Sequence, residues 1–452
     1  MGRLIFILTF FLAGEISLSA QSRWTYSYTD SLTYSLYNSG KWKMVVDSSS
    51  AAIKSGTDFY YLRMRRGISF DNMGEYGNAV SEFEHALKFF PADTNSRAYI
   101  YSAEMEMGRR SEARMDGEKM SASEKNILHF KNPVVTQVGG WVGYSAFNTS
   151  LLGGAGQQGN QQGNQNINPE TIQTSVYKNL YYGDLFLKNR IGQRLELTSE
   201  FSYLKFSQLE QFPPPPQMMG PHQMPKPTQF TSTGAQPGVD FSLNYLCSRK
   251  ISVDASFLFT NTNSSSHKLL MPYSFQTEQH QINIFEYGIG ASYHFAKADI
   301  SARGYYLQTS DTGTVFQGSL LATFYPKANL NLYIKTNLSG VVLNSGFRPV
   351  GALLVGKKVA EHTWLDGEFL YGNLRYYTAP ENNLLYNMAD QTSWRISATL
   401  HLFLVNHLQI DFQYAYTSRN SAALSFYQGG APTNTTFHYN SNQLTISSLW
   451  KF

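Results

Sequence analysis

The sequence predicts an α + β multidomain chain: a short α-helical repeat domain followed by an antiparallel transmembrane β-barrel of about fourteen strands. Three observations predict it. Apolar residues recur at helical spacing over residues 22–127 and switch to alternation from Asn132 onward. The alternating segments are joined by connections that are short and long in turn. Charged residues make up only 15% of the chain, while Tyr and Phe number 30 each. A soluble globular domain carries about 25% charged residues, so much of this surface is suited to lipid and its headgroups.

The chain has 452 residues, enough for two domains. Mean hydropathy is −0.31, and no apolar stretch of about 18 residues follows the first twenty, which excludes a helical membrane protein. A barrel reconciles modest hydropathy with many aromatics, because lumen-facing polar residues dilute the lipid-facing ones. The net charge of +4 is mild. No Lys/Arg run is interleaved with aromatics, so nucleic acid is not an expected partner. The single cysteine, Cys247, excludes an internal disulfide and a multi-cysteine zinc site.

Residues 1–20 read as a signal peptide. Arg3 supplies the charge, Leu4 to Leu12 the apolar core, and Leu18-Ser19-Ala20 the small-residue cleavage site before Gln21. A membrane anchor is the alternative, but the run is short for a span. No cysteine follows to carry a lipid.

Residues 22–127 form the expected helical domain. Gly40, Gly74 and Gly108 stand 34 residues apart (74 − 40, 108 − 74), and Val45, Ala79 and Ala113 keep the same register. Between Phe59 and Pro91, the positions Gly67, Phe70, Gly74, Tyr76, Ala79, Phe83, Ala86 and Pro91 resemble the packing pattern of a tetratricopeptide repeat, whose period is about 34 residues. Arg66 stands where that family places Leu. The resemblance implies about three stacked helical hairpins, with small residues where helices approach closely, and a concave face that holds a protein segment. An ordinary helical bundle is the alternative.

Residues 132–452 form the expected barrel. Leu408, Ile410, Phe412, Tyr414 and Tyr416 share one face, with mostly polar residues between them. Strands are expected near 133–145, 175–189, 194–207, 237–248, 251–262, 281–296, 298–309, 314–325, 329–340, 349–359, 363–375, 391–404, 408–418 and 437–452. Short turns fall near Gly192, Arg249, Lys297, Lys327, Glu361 and His407. Longer loops include the Gly/Gln/Asn tract 152–168, the Pro/Met tract 213–226, and 261–267, 376–390 and 419–435; the connection 310–313 breaks the alternation. Outer-membrane barrels have short periplasmic turns and longer extracellular loops, which places the helical domain in the periplasm and the barrel in the outer membrane of a Gram-negative envelope. The last strand sets Leu444, Ile446, Trp450 and Phe452 on one face, with Ser448 as an exception. It resembles the C-terminal signature by which outer-membrane assembly machinery recognises its clients, so Trp450 and Phe452 are the expected insertion signal.

The inward polar set includes Glu196, Glu200, Asp254, Glu286, Arg303, Lys335, Arg395 and Asp411, together with Asp184, Lys188, Asp240, Asp299, Asp366 and Glu368. Acids outnumber bases, so the interior is either a mildly cation-favouring path or a network of paired charges. No plug precedes the barrel. No metal-ligand spacing occurs, and neither a cofactor nor catalysis is expected. Met218, Met219, His222 and Met224 could ligate copper(I), but the prolines around them read as an extended solvated loop. A tetratricopeptide domain ahead of a barrel resembles the exopolysaccharide exporters, which implies a transport or export pore with a periplasmic docking domain. The alternatives are a non-conducting anchor in an envelope complex and a membrane-embedded hydrolase.

Overall fold

The computed structural model describes residues 23–149, 172–213, 227–270, 274–381, 383–388, 390–405, 407–425 and 433–452. The expected signal peptide, tract 152–168 and the Met218–Met224 cluster lie outside the described residues. The chain divides into two units, Met1–Phe130 and Lys131–Phe452.

The first unit has seven helices among the described residues: α1 (Tyr26–Asn38), α2 (Trp42–Lys54), α3 (Tyr60–Asn72), α4 (Tyr76–Phe89), α5 (Thr94–Glu106), α6 (Arg110–Gly117) and α7 (Ala122–Ile127). The first six form three consecutive helix–turn–helix units. Each turn is built the same way. Gly40, Gly74 and Gly108 take φ of +65°, +70° and +70°, a region that costs a residue with a Cβ. The next N–H, from Lys41, Glu75 or Arg109, donates back to the carbonyl of Leu36, Phe70 or Glu104. This closure satisfies carbonyls that the helix end leaves open.

Between the hairpins, Ala79, Phe83 and Ala86 are fully buried, and Tyr76 packs against their cluster. Gly67 is required by proximity: a Cβ there would lie 2.5 Å from the Phe83 ring. Pro91 follows α4, and its carbonyl accepts from Arg97 at 2.7 Å. Arg66 fits in place of the expected Leu because its guanidinium lies over the Phe70 ring at 5.5 Å and pairs with Glu82 at 3.3 Å. Glu82 also binds Arg63 at 2.8 Å. Replacing Gly74→Val should destabilise this unit by about 1–2 kcal/mol through the left-handed backbone, read as a lower helical melting temperature at 222 nm in the full-length protein. An unchanged melt would show that the turn does not need its glycine.

The second unit is a closed antiparallel barrel of fourteen strands. They are β1 (Val135–Phe147), β2 (Ile172–Ile191), β3 (Leu195–Phe212), β4 (Thr228–Ser248), β5 (Ile251–Leu270), β6 (Ser274–His294), β7 (Ala298–Thr309), β8 (Gly313–Phe324), β9 (Leu332–Leu343), β10 (Gly346–Ala360), β11 (Thr363–Gly372), β14 (Gln391–Val405), β15 (Leu408–Ser425) and β16 (Thr433–Lys451). Two short strands, β12 (Tyr377–Ala379) and β13 (Leu384–Tyr386), pair only with each other. Each barrel strand pairs with its neighbour in sequence, and β1 closes the ring against β16 over Gln137–Phe147.

Every expected strand is present, and several run further than their apolar alternation. β3 continues to Phe212, β4 starts at Thr228, β5 reaches Leu270, β6 starts at Ser274 and β15 reaches Ser425. All these extensions lie at the long-loop end. They are rich in Ser, Thr, Asn and Gln, so both faces are polar and no period of two shows. At that same end β2 and β15 also pair, through Ala423 with Thr174 and Leu424 with Gln173.

The outer face is apolar. Leu185, Phe201, Ile289, Leu320, Leu338 and Leu444 are each more than 60% exposed, the reverse of a water-soluble surface. Aromatic residues gather toward both margins. Trp450 and Phe452 face outward at the short-turn end and Tyr414 toward the other. Trp450 pairs with Leu408, six residues before Tyr414. At about 3.3 Å per residue that is about 20 Å, close to the apolar band of about 25 Å on transmembrane barrels. Ser448 interrupts the apolar row on the same face without disturbing the strand: it pairs with Gly140 and Ile410.

Candidate functional site

Alternation sends every second side chain of each strand inward, and the sequence-expected lumen residues all lie on the inner face. The structure sorts them into two groups. Near the short-turn end the charges are paired. Lys188 binds Glu196 at 3.0 Å, and Arg303 binds Asp254 at 3.4 Å. Lys335 lies over the Tyr333 ring at 5.5 Å, and further toward the long-loop end Arg395 binds Glu368 at 3.1 Å. His294 bonds Asp299 at 2.8 Å, and Tyr325 donates to the same carboxylate at 2.7 Å. The acid partners of His294 and His401 lie on flanking strands, so register alone brings them together. His401 in fact contacts two carboxylates, Asp411 at 2.8 Å and Asp366 at 3.3 Å. Ser447 donates to Asp411 at 2.8 Å, so the acid lies between hydroxyl and imidazole. That order leaves no hydroxyl on the histidine to activate.

Two of these contacts cross an intervening strand. Asp254 and Arg303 both lie opposite Gly290, where a Cβ would come within 2.7 Å of each. Tyr333 and Asp366 both lie opposite Gly356, and Tyr333 donates to Asp366 at 2.6 Å. An inward glycine thus lets a contact span two strand spacings.

The second group, further along the bore, is acidic. Glu200 lies against Asp184 and directly opposite Asp240, and Glu286 follows on β6. None has a basic partner among the described residues. Asp184, Asp240 and Glu286 are buried.

The bore is not empty, which corrects the expectation that loop 376–390 extends outward. The β12–β13 hairpin lies against the inner wall. Gln317 binds Thr378 twice, accepting from its N–H at 2.8 Å and donating to its carbonyl at 2.7 Å. Thr378 Oγ1 donates to Glu286 at 2.5 Å, and Asn337 donates to the Tyr377 hydroxyl at 2.7 Å. Leu374, Tyr376 and Tyr377 are buried against Ile284, Leu307, Val315, Val341 and Leu370. Tyr376 takes φ +61°, held by its buried ring and by its N–H donating to the Tyr386 carbonyl at 2.6 Å. Its hydroxyl donates to Asp311, in the turn between β7 and β8. Burial disfavours the Asp311 carboxylate, but hydrogen bonds from Tyr376, Thr309 and Thr312 outweigh it and hold the group below its ordinary value. This attachment is therefore complete above the ordinary carboxylate range and lost only as pH falls through the lower folded-state value.

The inserted residues were readable in principle. Leu374, Tyr376, Tyr377, Leu384, Leu385 and Tyr386 are too apolar for a solvated loop. Beside them the wall and inserted segment line an open cavity of about 850 Å³ toward the long-loop end. Among the described residues, no group of three His, Cys, Asp or Glu side chains could hold a metal ion.

An apolar, aromatic-edged exterior around a polar, partly filled interior defines a transmembrane β-barrel of the outer-membrane type. No family model matches the chain, and no curated protein matches its sequence. Among solved structures it is similar to the Pseudomonas putida toluene transporter TodX, at 8% identity over 71% of this chain and 91% of that one, with a TM-score of 0.44. It is also similar to a Pseudomonas aeruginosa FadL homologue, at 10% identity over 70% and 90%, TM-score 0.44. A mutant of MamA matches 21% of this chain and 68% of its own, at 22% identity and TM-score 0.20.

Gln317→Leu removes both bonds to the Thr378 backbone and strands two buried groups, at about 1–3 kcal/mol each. Amide hydrogen exchange over residues 376–386 should speed up by about tenfold or more. Unchanged protection would mean that apolar packing alone holds the segment.

Proposed function

We propose that the chain is an outer-membrane channel for transport or export, with its bore constricted by residues 373–390. The observation that carries this reading is the inserted segment. It lies against the inner wall and borders a chamber on the long-loop side. Loop parity assigns the long loops to the cell exterior and the short turns to the periplasm. The chain enters β1 from the short-turn end, which supports a periplasmic helical unit. There its three glycine-turned hairpins act as a tetratricopeptide-like docking domain for a periplasmic protein. Outward Trp450 and Phe452 serve as the recognition signal for the assembly machinery.

The number of bonds holding Thr378, Tyr376 and Tyr377 favours a second reading, a permanently closed barrel that anchors an envelope complex. Conductance separates the two. Replacing residues 376–388 with a short Gly/Ser linker should raise single-channel conductance several-fold in a planar bilayer. Ions should then pass the acidic set, because Glu196 and Asp254 are neutralised by Lys188 and Arg303. The triple change Glu200→Gln, Asp240→Asn and Glu286→Gln should reduce cation preference. A barrel still silent without the segment is an anchor.

Orientation is tested in intact cells in a Cys247→Ser background. A thiol at Thr312→Cys should react with an impermeant maleimide, and one at Lys327→Cys should not; the opposite pattern reverses the barrel.

A further inference from the structure

The chamber beside the inserted segment has a lining with a consistent chemistry. Its volume of about 850 Å³ falls within the range of about 300–1,000 Å³ typical of small-ligand sites. The strands β2, β3, β5, β6 and β15 supply most of its wall, and Arg375, Tyr376, Asn387, Met388 and Asp390 come from the inserted segment.

Its charges are internally compensated. Glu210 accepts from the His267 backbone at 2.9 Å, contacts its imidazole at 2.7 Å and accepts from Ser232 at 3.0 Å. Asp311 is bonded by Tyr376 and lies 3.8 Å from Arg375. Asp390 accepts from Tyr439, with the Arg419 guanidinium nearby. An ionic ligand would have to break one of these sets to find a partner.

The neutral groups are different, because their capacity is only partly used. Gln236 Oε1 accepts from Thr262 and Asn387, both at 2.8 Å, which among the described residues leaves the two amide hydrogens of Gln236 and the Asn387 oxygen available. The side chains of Gln208 and Ser264 have no hydrogen-bond partner among the described residues. His280 uses one ring nitrogen on Ser266, at 2.7 Å. Amides and hydroxyls both donate and accept. They suit a ligand whose own groups do the same, and they penalise one that offers nothing. Against them stand the apolar side chains Phe206, Ile284 and Met388, which suit C–H surface.

We propose that this chamber binds a neutral, hydroxyl-rich molecule of a few rings, a short saccharide. Such a molecule presents hydroxyls at its rim and C–H faces between them, and it carries no charge to disturb the compensated pairs. The proposal deepens the channel reading, and rests on it only for treating the bound molecule as cargo.

The test is calorimetric titration of the full-length protein in detergent. The probes are maltotriose, cellotriose and raffinose, with trigalacturonate as the charged control and laurate and toluene as apolar controls. At least one neutral trisaccharide should bind saturably. Gln208→Leu with Gln236→Leu should weaken it by about tenfold or more, since each removes hydrogen-bonding capacity toward the ligand. Ser264→Trp, which adds bulk to the chamber wall, should abolish it. Heat-modifiable migration in gels reports whether each variant is folded. The proposal is overturned if no neutral trisaccharide binds, if trigalacturonate binds more tightly, or if laurate or toluene binds and the Leu variants strengthen it. Failure of the channel reading looks different. Saccharide binding in a barrel that stays silent without residues 376–388 removes the channel and leaves the binding site standing. A conducting barrel that binds none of the saccharides does the reverse.

Discussion

The backbone hydrogen bond governs this structure. Hydrocarbon offers a peptide group no partner, and each unsatisfied group there costs several kcal/mol. A chain without an apolar helical span can cross a membrane only as a sheet with no free edge. The closing pairs of β1 with β16 are therefore the condition for the rest of the barrel. Once the ring is closed, alternation forces each strand to divide its side chains between two solvents. The outward apolar row and the inward polar row are two consequences of one constraint.

That constraint explains which parts were legible in the sequence. Where a strand crosses lipid, its outer positions must be apolar, and the period of two shows plainly, as from Leu408 to Tyr416. Beyond the membrane the same strand faces water on both sides. Residues 263–270 of β5 and 419–425 of β15 remain paired, but nothing obliges their side chains to alternate. The helical turns were legible for a different reason. A left-handed residue after a helix end strongly favours glycine, so Gly40, Gly74 and Gly108 mark three turns at a constant interval.

The interior was legible only in part. Strand parity identified which charged residues point inward, but not which of them meet. His401 finds Asp366 and Asp411 because β11 and β15 flank β14 in a particular register, and register comes from the whole set of pairings rather than from one segment. Contacts over Gly290 and Gly356 are more remote still, since they join strands that are not neighbours. The inserted segment was misread because loop length alone pointed outward. Its apolar content pointed inward, and burial was the stronger term: Leu374 and Thr378 are completely covered.

The bore consequently solves the problem of buried polarity in two ways along its length. Near the short-turn end the solution is opposite charge, with Lys188, Arg303 and His401 each held against carboxylates. A buried pair is strongly destabilised by loss of one partner, so this end is fixed by mutual dependence. Toward the long-loop end, paired charges such as Asp311 with Arg375 are joined by neutral amides and hydroxyls around Thr378 and Gln236. These neutral groups can exchange one partner for another without exposing a charge. The charged pairs stiffen the end that carries the chain into the barrel, while the neutral groups keep unused hydrogen-bonding capacity among the described residues. The inserted segment is bonded chiefly to neutral residues and to two acids, Glu286 and Asp311. Its release therefore costs hydrogen bonds, apolar contacts and the Arg375–Asp311 pair, but none of the paired charges near the short-turn end.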